Sequence, residues 1–140
     1  MKATKYVEAS DEEMRALAEF RFALRSFLHF SEEAASRAGL TAQQHQLMLQ
    51  IAGAPEGTIT TIGYLAERLS LKHNTVVELS TRGEEAGLVA RRSDPANRRN
   101  VVVKLTARGN RILRRLSADH SRELNVLGPQ LIRALKALIT

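Results

Sequence analysis

The apolar residues between Thr61 and Leu105 switch period partway along, and this restricts the fold more than any other feature of the chain. Ile62, Leu65 and Leu69 make one helical stripe over residues 61–69, capped by Thr60 or Thr61. Ser70-Leu71 reads as a tight turn. A further helix runs from Lys72 or His73 to about Ala86, with Val76 and Leu79 inward and Gly87 at its end. The period then becomes that of strands. Leu88 to Arg92 alternates apolar and polar, Ser93 to Arg99 is a turn by its Asp-Pro and Asn, and Asn100 to Leu105 is β-branched. Thr58-Ile59-Thr60 adds a candidate for a very short strand.

Helical patterns flank this segment. Ser10-Asp11-Glu12-Glu13 is a capping box that opens a helix to about Arg37 or Ala38, closed by Gly39. All four phenylalanines lie in it, so it is apolar on more than one side and needs cover on more than one side. Thr41 to Gln44 is a second capping box, before a helix to about Ile51 or Ala52. Thr106 caps a long helix from about Ala107 to Leu127, Gly128-Pro129 is expected to break it, and a short apolar helix from Gln130 to Leu138 follows. The predicted class is mainly α with a small β-hairpin. A winged helix-turn-helix lobe spans about 41–106, and the helices at about 10–38 and 107–140, all within the same domain, are candidate dimerisation helices whose apolar faces need cover from this chain or another.

Charge is concentrated in the predicted lobe. The chain carries +6 overall. Residues 67–115 hold twelve Lys/Arg and five Asp/Glu, or +7, whereas residues 1–66 hold six against eight, or −2. A local basic excess is the footprint of a phosphate-backbone binder, although charge alone also fits a solvated basic face. With no cysteine, disulfides and thiolate metal sites are excluded. No long apolar run occurs, and the polar start lacks the apolar middle of a signal peptide, so the chain reads as cytoplasmic, with no membrane partner.

In a helix-turn-helix the start of the second helix meets base edges. Here that start is Lys72, His73, Asn74 and Thr75, polar residues between the inward Leu71 and Val76. Asn suits adenine, and the helix N-terminus favours a phosphate. Glu78 is open to two readings, accepting from a cytosine amine or pairing with Lys72, Arg82 or another side chain; the pairing is favoured. Thr81 and Arg82 lie further along as backbone contacts. In the hairpin, Arg91, Arg92, Arg98 and Arg99 would repel one another unless a polyanion relieves them, and a wing arginine suits a narrow minor groove. Asp94 is expected to orient a neighbouring arginine.

From Leu65-Ala66-Glu67-Arg68-Leu69, through Glu84-Glu85-Ala86-Gly87-Leu88-Val89, to Asp94–Arg99 and Leu105-Thr106, the chain resembles the MarR family. The family's wing carries Asp, any residue, Arg, five of any kind, then Leu-Thr. Asn97, Arg99, Leu105 and Thr106 stand in those places, so Asn97 replaces the aspartate that braces the wing arginine, and its brace lacks the charge. Gly83 also departs, standing where the family has an apolar residue; it marks a bend or a close contact.

The resemblance implies a homodimer with interlocked terminal helices, double-stranded DNA with a pseudo-palindromic site as partner, and usually repression. It further implies a small aromatic or anionic effector, for which Phe20, Phe27, His29, Phe30, His45 and Met48 are the candidate lining. Ordinary core and dimer contacts are the competing reading of those six. No cofactor or metal is expected, since the scattered His29, Glu33, His45 and His120 make a weak ligand set. No phosphate loop, nucleophile elbow or paired-His motif points to an enzyme. The alternatives are a winged-helix protein-interaction module and a ligand-binding protein without DNA binding.

Overall fold

A computed structural model describes residues 7–139 of the chain. The polar residues 1–6, part of the argument against a signal peptide, lie outside the described residues, as does Thr140. Five helices and one hairpin follow in order: α1 (Asp11–Arg37), α2 (Ala42–Ala52), α3 (Ile62–Leu69), α4 (His73–Glu85), β1 (Val89–Ser93), β2 (Val101–Leu105) and α5 (Ala107–Leu138). The internal contacts group residues 32–119 into one compact unit and residues 7–31 with 120–139 into another. No helix among the described residues is long and apolar enough to cross a membrane.

The unit of residues 32–119 is the winged helix-turn-helix lobe. Its core joins Leu47 and Met48 of α2, Leu65 of α3, Val76 of α4, and Val89 and Val103 of the hairpin, all essentially fully buried. Each such side chain contributes about 1.5–3 kcal/mol by leaving water. The helix ends follow the chemistry of their caps. Thr41 and Gln44 form a complete capping box, their side chains and backbones bonded reciprocally. At α1 only half of the box forms: the Glu13 N–H donates to Ser10 Oγ at 3.1 Å. α1 and α4 both end in left-handed glycines, Gly39 and Gly87. The next residue then donates back into the helix, Leu40 to Ala35 and Leu88 to Gly83, each at 2.9 Å.

The turn between α3 and α4 achieves the same reversal without glycine. Ser70 sits at φ 54°, the sole positive-φ residue other than glycine among those described. Leu71 donates to the Ala66 carbonyl at 3.0 Å.

The hairpin pairs Val89 with Leu105 and Ser93 with Val101 in antiparallel register. The short strand expected at Thr58–Thr60 is reduced to a bridge between Thr61 and Val102. Thr61 is already committed as the cap of α3, accepting from the Tyr64 N–H at 3.1 Å, so the extended segment cannot lengthen. Thr60 is anchored instead by two bonds to Val103: its hydroxyl donates to the carbonyl at 2.6 Å and its carbonyl accepts from the N–H at 2.9 Å.

The expected break at Gly128-Pro129 does not occur, because α5 runs through Pro129 to Leu138. Proline removes one backbone bond there and costs about 3 kcal/mol. Burial on both sides of it holds the helix: Leu127 and Leu131 are half-buried and Ala134 is buried. On α1 and α5, Met14, Leu17, Leu28 and Leu124 are exposed.

At the start of α5, Gly109 is pressed against the Leu88 carbonyl, and a Cβ there would fall well inside van der Waals contact with its oxygen. Gly109→Ala is therefore expected to destabilise the fold by about 2 kcal/mol or more despite alanine's better helix propensity, read as a lowered urea midpoint. Ser70→Gly should do the opposite. Relief of the left-handed strain outweighs the added chain entropy, and stability should rise by about 0.5 kcal/mol, read as a raised urea midpoint.

Candidate nucleic-acid interface

The recognition helix α4 begins without a side-chain cap. Lys72 occupies the cap position with extended backbone and makes no capping bond, whereas Thr41 and Thr61 cap α2 and α3. The first N–H groups of α4 thus keep their capacity to donate. Lys72, His73 and Asn74 are exposed around that end, and Thr75 is half-buried. Burial of Val76, Leu79 and Ser80 on the opposite face fixes which side of α4 meets solvent.

Further along α4 the structure differs from two expectations. Glu78 is exposed and forms no ion pair with Lys72 or Arg82 among the described residues. Thr81 does not lie on the free face. Its hydroxyl donates to the Val77 carbonyl at 3.0 Å and accepts from Arg91 Nη1 at 3.1 Å. Arg82 stays exposed.

Arg91 is correspondingly unlike the other wing arginines. Its backbone N–H donates to Glu84 Oε2 at 3.0 Å, its guanidinium holds Thr81, and its Nε is buried without a partner. The residue ties β1 to α4 by two bonds and is spent on position. Arg92, Arg98 and Arg99 are exposed and form no ion pair among the described residues.

The wing tip is shaped by side chains folded onto its own backbone. Asp94 is buried, and its Oδ1 accepts from the Ala96 N–H at 2.9 Å, so it orients the turn and not a guanidinium. Asn97 Oδ1 accepts from the backbone N–H of Arg99 at 3.2 Å. An amide oxygen suffices for that bond, so the missing charge at position 97 costs the turn nothing it uses here. Asp94 N–H closes the loop onto the Asn100 carbonyl at 2.9 Å.

Gly83 is a close contact and not a bend. A Cβ there would meet Val89 Cγ2 at 3.0 Å, so its absence lets β1 approach the recognition helix. Three residues that position the interface escaped the sequence reading: Glu84, Gly109 and Arg108, whose Nη1 donates to the Ala86 carbonyl at the end of α4 at 2.7 Å. None carries a local signal, because each acts on a residue in another element.

The six residues considered for an effector are divided between the two units. His45 and Met48 are buried in α2. In the other unit, Phe20, Phe27 and Phe30 are half-buried on α1 and His29 is exposed. Phe27 and Phe30 meet the His120 ring edge to face, with centroids 5.8 and 5.3 Å away, and His120 Nε2 lies 2.7 Å from Ser31 Oγ. Among the described residues no group of three or more His, Asp or Glu is placed to hold a metal ion.

Residues 38–100, covering most of the lobe, match the model of the MarR family. No curated protein matches the chain. Among solved structures, AbsC, a MarR family transcriptional regulator from Streptomyces coelicolor, is 22% identical with a TM-score of 0.74, over 87% of this chain and 82% of that one. A MarR family protein from Bacillus stearothermophilus is 27% identical with a TM-score of 0.70, over 85% and 83%. A variant of MepR from S. aureus bound to an oligodeoxyribonucleotide is 20% identical with a TM-score of 0.64, over 80% of each chain. Sequence match and shared fold together make the winged helix-turn-helix lobe of this chain a MarR-family domain.

Proposed function

We propose that this protein is a transcriptional regulator that binds double-stranded DNA as a homodimer, reads a pseudo-palindromic site and represses. The observation that carries the reading is the pairing, on one lobe, of an uncapped recognition-helix start bearing Lys72, His73 and Asn74 with a wing whose Arg92, Arg98 and Arg99 have no acidic partner. Unpaired guanidiniums and free helix N–H groups are the donors that phosphate oxygens and base edges accept from. Asn74 and Thr75 are the base readers, Lys72 and His73 flank them, and Glu78 stands free to accept from a cytosine amine. Arg92, Arg98 and Arg99 serve the phosphates or the minor groove, and Arg82 the backbone. Arg91, Thr81, Asp94 and Asn97 shape and hold the wing.

Exposed apolar residues support the homodimer. On the helical unit, Met14, Phe22, Val126 and Ile132 are each more than half exposed. Exposed large apolar residues on such helices favour association with a second copy. A two-fold axis would present two recognition helices to paired half-sites. Relief of repression by a small aromatic or anionic effector belongs to the same reading, with Phe27 and Phe30, which flank His120, as proposed contacts.

Selection of bound sequences from random duplex DNA tests the central claim: a palindrome is expected, and absence of any enrichment overturns it. Arg99→Ala should weaken binding and lower the salt slope by about one unit, the signature of a lost phosphate contact. Arg91→Ala should also weaken binding but leave the salt slope unchanged, while hydrogen exchange of wing amides 94–100 accelerates. Asn74→Ala should lower affinity for the selected site by about 1–3 kcal/mol and spare random DNA. Equal losses on both DNAs would remove Asn74 from the readers.

A further inference from the structure

The DNA-binding reading leaves unused a groove within residues 32–119. The last turn of α1 and the first half of α5 border this open groove, which has a volume of about 350 Å³. Its floor is Ala34, Ala38, Ile112 and Leu116, and its rim carries Arg37, Arg115 and Asp119. Ala34 and Leu116 are only 4% and 3% exposed and Ile112 is half-buried, so these three belong to the packed lobe, while Ala38 is exposed at its edge. None of the six residues considered for an effector borders it.

The charges around this floor are unbalanced. Asp119 already makes an interaction within the chain, whereas Arg37 and Arg115 are exposed and form no ion pair or hydrogen bond among the described residues. Two guanidiniums over an apolar floor match an anionic head with an apolar tail, and arginine takes a carboxylate through two parallel bonds. The floor contains no aromatic ring on which a planar ligand would stack, only aliphatic side chains. The volume lies at the lower end of small-molecule sites.

We propose that this groove binds a medium-chain aliphatic carboxylate, its head between Arg37 and Arg115 and its tail along Ile112 and Leu116. The proposal goes beyond the DNA-binding reading and does not rest on it. Each methylene that reaches the floor tightens binding by about fourfold.

Calorimetric titration of the full chain without DNA tests it, using hexanoate, octanoate, octanamide and benzoate as probes. Octanoate should bind roughly tenfold or more tighter than hexanoate, and tighter than benzoate; octanamide, which keeps the tail and lacks the charge, should bind at least tenfold more weakly. The double variant R37Q/R115Q alters only exposed side chains, and its fold is checked by circular dichroism. It should lose octanoate affinity by at least tenfold. Equal affinity of octanoate and octanamide, unchanged affinity in the double variant, or no octanoate binding by the parent chain each overturns the proposal. Preferential binding of benzoate overturns the aliphatic assignment. Because no DNA is present, failure here leaves the DNA-binding reading standing, and failure to select a DNA site leaves this one standing.

Discussion

One carbonyl, that of Leu88, ties together the elements that present the interface. It accepts from the backbone N–H of Thr106 at 3.0 Å, and the bare Cα of Gly109 rests against it. Leu88 itself closes the left-handed turn that ends α4. The end of the recognition helix, the base of the hairpin and the start of α5 therefore meet at a single peptide. Thr106 adds a 2.6 Å bond to the Gly87 carbonyl while capping α5 through the Gly109 N–H. A junction closed by several hydrogen bonds transmits position well, because moving one element away breaks bonds to the others.

From that junction the wing extends with a second tether at mid-length. Arg91 holds Thr81 and Glu84 of α4, and Gly83 lets Val89 approach. The hairpin is thus fixed to the recognition helix at its base and again one strand-turn outward, leaving the tip from Asp94 to Asn100 to be shaped by its own Asx bonds. The arginines divide accordingly. Arg91, against the helix, is consumed in positioning, and Arg98 and Arg99 at the tip are exposed without an ion pair among the described residues. Sequence proximity does not predict this division: Arg91 and Arg92 are neighbours on opposite faces of one strand, as the two-residue period of a strand requires.

The local elements were legible because their signals are local. Caps at Thr41, Thr61 and Thr106, glycines at 39 and 87, and the period switch after Gly87 each act within a few residues, and the helices and strands begin and end within a residue or two of those signals. The misreadings share one cause. Pro129 was expected to end a helix, and Thr58–Thr60 to form a strand, from local preference alone. Burial of Leu127, Leu131 and Ala134 overrides the first, and the commitment of Thr61 to capping α3 truncates the second. Of the candidate interface, the exposed start of α4 and the arginines of the tip were readable from residue type and position. The inward role of Arg91 was not, since it depends on Thr81 and Glu84 of α4 coming within hydrogen-bond distance of the strand, and the choice of Asp94 for the Ala96 N–H over a guanidinium depends on how the turn closes.

By itself, the sequence determined the order of elements, the places where the chain reverses, the basic character of the lobe and the residue types available to meet a polyanion. These depend on backbone preference, periodicity and charge, which act along the chain. Tertiary structure alone decided which arginines stay free, why glycine is needed at 83 and 109, and that Arg37 and Arg115 border the same groove. Those outcomes depend on contacts between residues far apart in the chain, at separations where a single methyl group or one hydrogen bond decides the arrangement.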